Sequence, residues 1–147
     1  MKKNKRGFTI VELVIVIAVI GILAAVLIPT FSGVVENANK SAAYSNCRNA
    51  MTTVISDSEY GQVKDGTIFV SGDYYAVFKD NQLGEAQKFE WTSDSCTVTV
   101  NTKTAKFTKS GDTISLDTTS DYEEGTLGGS EATAELTKLG VKYYVVE

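Results

Sequence analysis

The sequence predicts an α+β fold in which a long N-terminal α-helix packs on an antiparallel β-sheet head. Three features predict it. Residues 13–28 are sixteen in a row without a polar side chain. An amphipathic three-to-four repeat carries on from there to Ile55. From Gly66 the period switches to two, in short Thr- and aromatic-rich segments separated by glycine turns. The composition agrees: 147 residues, 43% hydrophobic and 22% charged, are enough to build a packed core.

The first element is the apolar helix. Residues 8–31 would span about 36 Å at about 1.5 Å per residue, enough for a hydrocarbon layer of about 30 Å. Lys2, Lys3, Lys5 and Arg6 precede it, so the positive-inside rule keeps this end cytoplasmic and exports the rest. A cleaved secretory signal is the competing reading. However, the small pair Ala24-Ala25 is followed by Val26-Leu27-Ile28, a poor cleavage context, and a retained membrane helix is expected.

Glu12 lies inside the apolar stretch. An ionised carboxylate at membrane depth costs about 2.5–3.5 kcal/mol, which marks it as a functional candidate. Either it snorkels to the headgroups or it meets a cation. A cut between Gly7 and Phe8 would create an α-amine at the same depth, and two staggered chains would then pair amine with carboxylate. Ala18, Gly21 and Ala25 put small residues on one helix face, where backbones approach closely. Gly21 weakens a helix by about 1 kcal/mol relative to alanine, and Pro29 lacks an N–H and crowds the preceding turn. Between them the helix is expected to bend or stretch.

After Pro29 the apolar stripe runs through Phe31, Val34, Val35, Ala38, Ala42, Cys47, Ala50, Met51, Val54 and Ile55, and the helix is expected to end near residues 58–61. Strands are expected at 67–71, 74–79, 88–92, 97–102, 105–108 and 113–117, with hairpin turns at Ser71-Gly72-Asp73 and Ser110-Gly111-Asp112. Residues 120–130 read as a polar loop, 131–139 as a short helix closed by Gly140, and 141–146 as a last strand.

The chemistry available is narrow. The chain has no histidine, which removes Ser-His-Asp and Cys-His nucleophiles and imidazole metal sites. Two cysteines do not complete a tetrahedral zinc site. With no nucleotide-binding or nucleophile-elbow motif either, the sequence predicts no catalytic, cofactor or metal site and no small-molecule substrate, hence a protein that is not an enzyme. A net charge of −4 argues against a nucleic-acid partner, and Lys103, Lys106 and Lys109 form the one local basic patch. Asp121, Glu123, Glu124 and Glu131 lack calcium-loop spacing and read as a solvated loop. Cys47 lies on the helix stripe, and Cys96 shares a strand face with Val98 and Val100, so both are expected in one helix–sheet core. A disulfide there, worth about 4 kcal/mol on an exported domain, and two buried free thiols both remain open.

The run Lys5-Arg6-Gly7-Phe8-Thr9-Ile10-Val11-Glu12-Leu13, followed by the apolar stretch and Ile28-Pro29, closely resembles the precursor of a type IV pilin. The resemblance covers residues 1–31 well and the amphipathic continuation moderately. The remainder is similar by layout only. It implies a type IV pilin-like fold divided into a leader (1–7), a transmembrane and filament-core helix (8–31), its amphipathic continuation (32–60) and a globular β-rich head (61–147). It further implies cleavage after Gly7 by a prepilin peptidase and N-methylation of Phe8. Glu12 would neutralise a neighbour's amine, and helix would be lost between Gly21 and Pro29 on assembly. The implied function is a structural subunit of a type IV pilus serving adhesion, motility or DNA uptake. Its partners would be other pilin subunits, the peptidase, the assembly platform and the membrane. The subunit would wait in the cytoplasmic membrane and end in an extracellular filament at the bacterial surface. The alternatives are a pseudopilin or minor pilin of a secretion or competence system, and a monomeric membrane-anchored binding domain.

Overall fold

A computed structural model describes residues 7–57 and 63–146. The chain divides into two compact units, Met1–Ala38 and Asn39–Glu147. The described part of the first unit is almost wholly helical: α1 spans Ile10–Ser56, and its opening residues fall in this unit. The helix runs through both Gly21 and Pro29. The Thr30 hydroxyl donates to the Val26 carbonyl at 3.0 Å, one residue from the carbonyl that Pro29 leaves without its helical donor.

In the second unit, α1 buries Ala43, Cys47, Ala50 and Val54, a 4-3-4 spacing along one face. Ala42, expected on that stripe, is exposed, and Ala43 takes its place. The helix ends at Ser56; the expected end at 58–61 lies outside the described residues. Among the described residues nine strands and a second helix follow: β1 (Ile68–Ser71), β2 (Tyr74–Lys79), β3 (Gln82–Leu83), β4 (Gln87–Lys88), β5 (Ser95–Val100), β6 (Lys103–Ser110), β7 (Thr113–Leu116), β8 (Tyr122–Glu124), α2 (Ser130–Leu139) and β9 (Val141–Val146). All described strand pairs are antiparallel. One sheet runs β3-β2-β1-β9-β8, with β4 also on β2, and a second runs β5-β6-β7.

β1 is the hinge of the packing, since all four of its residues are buried. Ile68 and Val70 face a core shared with the second sheet, which contains Phe89, Val98, Val100, Phe107, Ile114 and Tyr144. Phe69 faces the opposite way, into a core with Cys47, Ala50 and Val54 of α1, Leu136 of α2 and Tyr143 of β9. Period-two alternation along β1 and β9 therefore places a main core on each side of the first sheet, and Ala43, Tyr74 and Ala86 form a smaller third cluster. The first core holds an aromatic chain, with Tyr75–Phe89, Phe89–Phe107 and Phe107–Tyr144 ring centroids 4.9, 5.1 and 5.2 Å apart.

This division corrects the expectation for the cysteines. Cys47 belongs to the helix-side core and Cys96 to the sheet-side core, and both are free, buried thiols. The Cys47 Sγ lies 3.7 Å from the Phe69 carbonyl oxygen, so its partner is the backbone of β1. The expected single core was two, and β1 stands between the thiols. The residue 88–92 strand is also shorter than expected: only Lys88 joins the β4 pairing, and the chain then crosses from one sheet toward the other. Within the expected loop 120–130, Tyr122–Glu124 pairs with β9 as a strand.

Candidate functional site

The site is built from the first residues of α1. Thr9 and Glu12 lock the helix start: the Thr9 backbone N–H and hydroxyl both donate to Glu12 Oε2, at 2.8 and 2.7 Å, and the Glu12 N–H reaches the Thr9 hydroxyl at 3.3 Å. This reciprocal arrangement is a capping box, in which a threonine and the glutamate three residues later satisfy donors that a helix start leaves unpaired. Sequence reasoning singled out Glu12 and missed Thr9, although Thr-x-x-Glu ahead of an apolar run is the legible signal for this pair.

From Gly7 to Ala38 every residue is exposed except Ala24, which is half-buried. Phe8 is 89% exposed, and Ile10, Leu13, Ile17, Ile22, Ile28 and Phe31 all exceed half. Ala18, Gly21 and Ala25 are exposed among them, and nothing approaches within 4 Å of the position a Cβ on Gly21 would take. The helix is long and apolar enough to cross a membrane, and no part of its most apolar window is buried within the chain. Each fully buried Val, Leu, Ile or Phe gains about 1.5–3 kcal/mol over an exposed one. A column of such side chains is therefore a surface that lipid or other helices must cover.

Residues 2–28 match the family model described as the prokaryotic N-terminal methylation motif. The N-terminus of this chain carries that methylation motif. It is similar to a fimbrial protein of Moraxella nonliquefaciens, 32% identical over 78 residues, covering 48% of this chain and 51% of that one. It is likewise similar to the type IV major fimbrial protein FimA of Dichelobacter nodosus, 36% identical over 83 residues, covering 52% and 53%. The type II secretion system core protein G of Dickeya chrysanthemi is 39% identical over 46 residues, 31% of this chain and 30% of that one. The chain thus matches about half the length of the first of these relatives. No solved structure gives a significant match. One long N-terminal helix together with antiparallel sheet is the α+β arrangement expected of a type IV pilin-like chain.

The other candidates disperse. Lys106 pairs with Asp117 at 3.5 Å; Lys109 pairs with Asp73 at 2.6 Å and lies 5.6 Å from the Trp91 ring centroid. Because Ala105 and Phe107 point into the core, Lys109 shares their strand face and Lys106 takes the other, so the three lysines make no common patch. Among the acidic residues, the Asp121 carboxylate accepts from the Thr104 N–H at 2.8 Å, Glu124 pairs with Lys142 at 3.1 Å and Glu131 lies in the first turn of α2. No cluster of three or more metal-ligating acidic or cysteine side chains occurs among the described residues.

Proposed function

We propose that this chain is a structural subunit that polymerises through its N-terminal helix into a type IV pilus-like filament. The observation that carries the reading is the exposed apolar helix, whose side chains have no cover within their own chain. In the precursor, lipid covers them; in the filament, the helices of neighbouring subunits do. A peptidase cuts between Gly7 and Phe8, removing the leader 1–7 with Lys2, Lys3, Lys5 and Arg6 and taking the formal side-chain charge from −4 to −8. Phe8 is then N-methylated. The Glu12 carboxylate leaves its place on Thr9 and neutralises the Phe8 amine of an adjacent subunit, fixing the axial stagger. Gly21 and Pro29 give the helix its weak segment, the helix continues from there to Ser56, and the β-rich part that follows forms the outer head.

The relatives include both major fimbrial proteins and a secretion-system core protein, and a pseudopilin is the second reading, since it shares the same N-terminal physics. Imaging and N-terminal sequencing of sheared surface material test the proposal. Fibres whose principal polypeptide starts at a methylated Phe8 are the expected result. A mature chain that keeps its leader, or stays solitary in the membrane, would overturn it, and a cut chain that is scarce in the fibres would favour the pseudopilin.

A further inference from the structure

We propose that β5 is an open edge at which a second copy of this chain adds its own β5, antiparallel, joining two three-stranded sheets into one of six strands. β5 ends the β5-β6-β7 sheet. Its hydrogen-bond phase is set at its start, where the Lys109 N–H donates to the Asp94 carbonyl at 2.8 Å. Counting by twos through the antiparallel register, Cys96, Val98 and Val100 direct their backbone groups to β6. Ser95, Thr97 and Thr99 then direct theirs outward, and the Ser95 groups turn back to Thr92 at 2.9 and 3.3 Å. The amides and carbonyls of Thr97 and Thr99 remain, with no backbone partner among the described residues and with both side chains exposed.

Edges of this kind are usually blunted by charge, proline, a bulge or shortness. β7, the other edge of the same sheet, is also uncharged but has only four residues, Thr-Ile-Ser-Leu, and the edges of the first sheet are blunted. β3 and β4 have two residues each, β4 carries Lys88, and β8 is three residues long with Glu123 and Glu124. β5 has six residues, Ser-Cys-Thr-Val-Thr-Val, with no charge, proline or glycine.

The strand is also complementary to itself. A two-fold axis through Val98 sets Thr97 of one copy opposite Thr99 of the other, so the outward groups of both are satisfied at once. The valines of both strands stay on their core faces. At each end of the ribbon, the exposed Asp94 of one copy comes beside the 101–102 turn of the other, which leads into the exposed Lys103. Neither Asp94 nor Lys103 has an ion-pair partner among the described residues. The occupant that fits uncharged centre, matched register and opposite end charges is therefore this chain. Filament formation is not required for this contact, which would link subunits of different filaments or free subunits alike.

Cysteine pairing in the detergent-solubilised full chain tests it. In the proposed register the 97 and 99 Cα atoms of the two copies are about 5.5 Å apart, inside the disulfide range of about 4.4–6.8 Å. Like positions are diagonal, at about 7–8 Å. Under mild oxidation, Thr97→Cys and Thr99→Cys chains mixed together should give a 97–99 linked dimer at least several-fold above either alone. Lys103→Glu should lower that yield and Asp94→Lys in the same chain should restore it, a rescue that misfolding does not produce. A mixture that links no better than the single variants, or links randomly among 97–97, 97–99 and 99–99, would overturn the proposal. None of these outcomes reads leader cleavage or filament growth, so the filament reading stands or falls separately.

Discussion

Gly125 offers the sharpest test of how the head is packed. A Cβ placed there would overlap Cε2, Cζ and Cδ2 of the Tyr143 ring. The Gly125 N–H donates to the Tyr143 carbonyl at 2.8 Å, so the backbone is pinned to the residue whose ring it would strike. Gly125→Ala must therefore move the ring, which is 4% exposed, stacks on Phe69 at 5.9 Å and donates its hydroxyl to the Thr126 carbonyl at 2.8 Å. The aromatic pair is worth about 0.5–1.5 kcal/mol and the hydrogen bond about 0.5–1.5 kcal/mol. With the strain of overpacking, about 1–3 kcal/mol, the expected loss is about 2–6 kcal/mol. Urea unfolding of the detergent-solubilised chain, followed by the fluorescence of Trp91, the single tryptophan, measures it. Adding Tyr143→Leu should recover part of the loss, since the smaller side chain vacates the clash. A Gly125→Ala change within about 0.5 kcal/mol of the parent, or strict additivity of the pair, would refute the steric argument.

Four further outcomes are expected. Glu12→Gln keeps a capping-box side chain but loses the charge, so cleavage after Gly7 should stay normal while fibre yield collapses; normal yield in shear preparations would show that charge is not what Glu12 supplies. Burial pushes the Cys47 thiol up to about 12. Below the ordinary thiol range both folded and unfolded chains hold that proton. As pH rises above it only the unfolded chain ionises, so stability should fall by about tenfold in the folding constant per pH unit toward 12; Cys47→Ala should flatten this slope in alkaline urea titrations, and intact mass should show no disulfide to reduce. Asp57→Ala removes the carboxylate that accepts from the Gly128 and Gly129 N–H groups at 3.0 and 3.4 Å, where α2 has no side-chain cap of its own; about 1 kcal/mol should be lost in the same titration. Tyr144→Phe deletes a buried hydroxyl with no partner among the described residues, and should leave stability unchanged or raise it.

Much of the fold was legible because the signals were local. The β2 and β9 bounds coincide with those read from alternation, and Gly140 stops α2 in the left-handed conformation, φ 63°. What escaped was nonlocal. β8 is three residues, Tyr-Glu-Glu, in polar surroundings, and it becomes a strand because β9 offers it an edge. The helix stripe slid from Ala42 to Ala43 because the sheet surface, not the sequence, selects between adjacent alanines. The cysteine expectation failed because alternation along one strand tells which residues share a face but not how many cores those faces meet. At the N-terminal segment the pattern around Glu12 stood out by its charge, whereas Thr9 went unnoticed, a small residue whose value shows only in the hydrogen bonds it makes.

That β1 is covered on both faces has a mechanical consequence. Ile68 and Val70 on one side and Phe69 on the other belong to a single four-residue strand. Neither half of the head can melt while the other persists, because the strand that leaves one takes the floor from the other. Heat, denaturant or a pull on the chain should thus find a single all-or-none barrier, and the head under tension would hold its shape until it yields entirely.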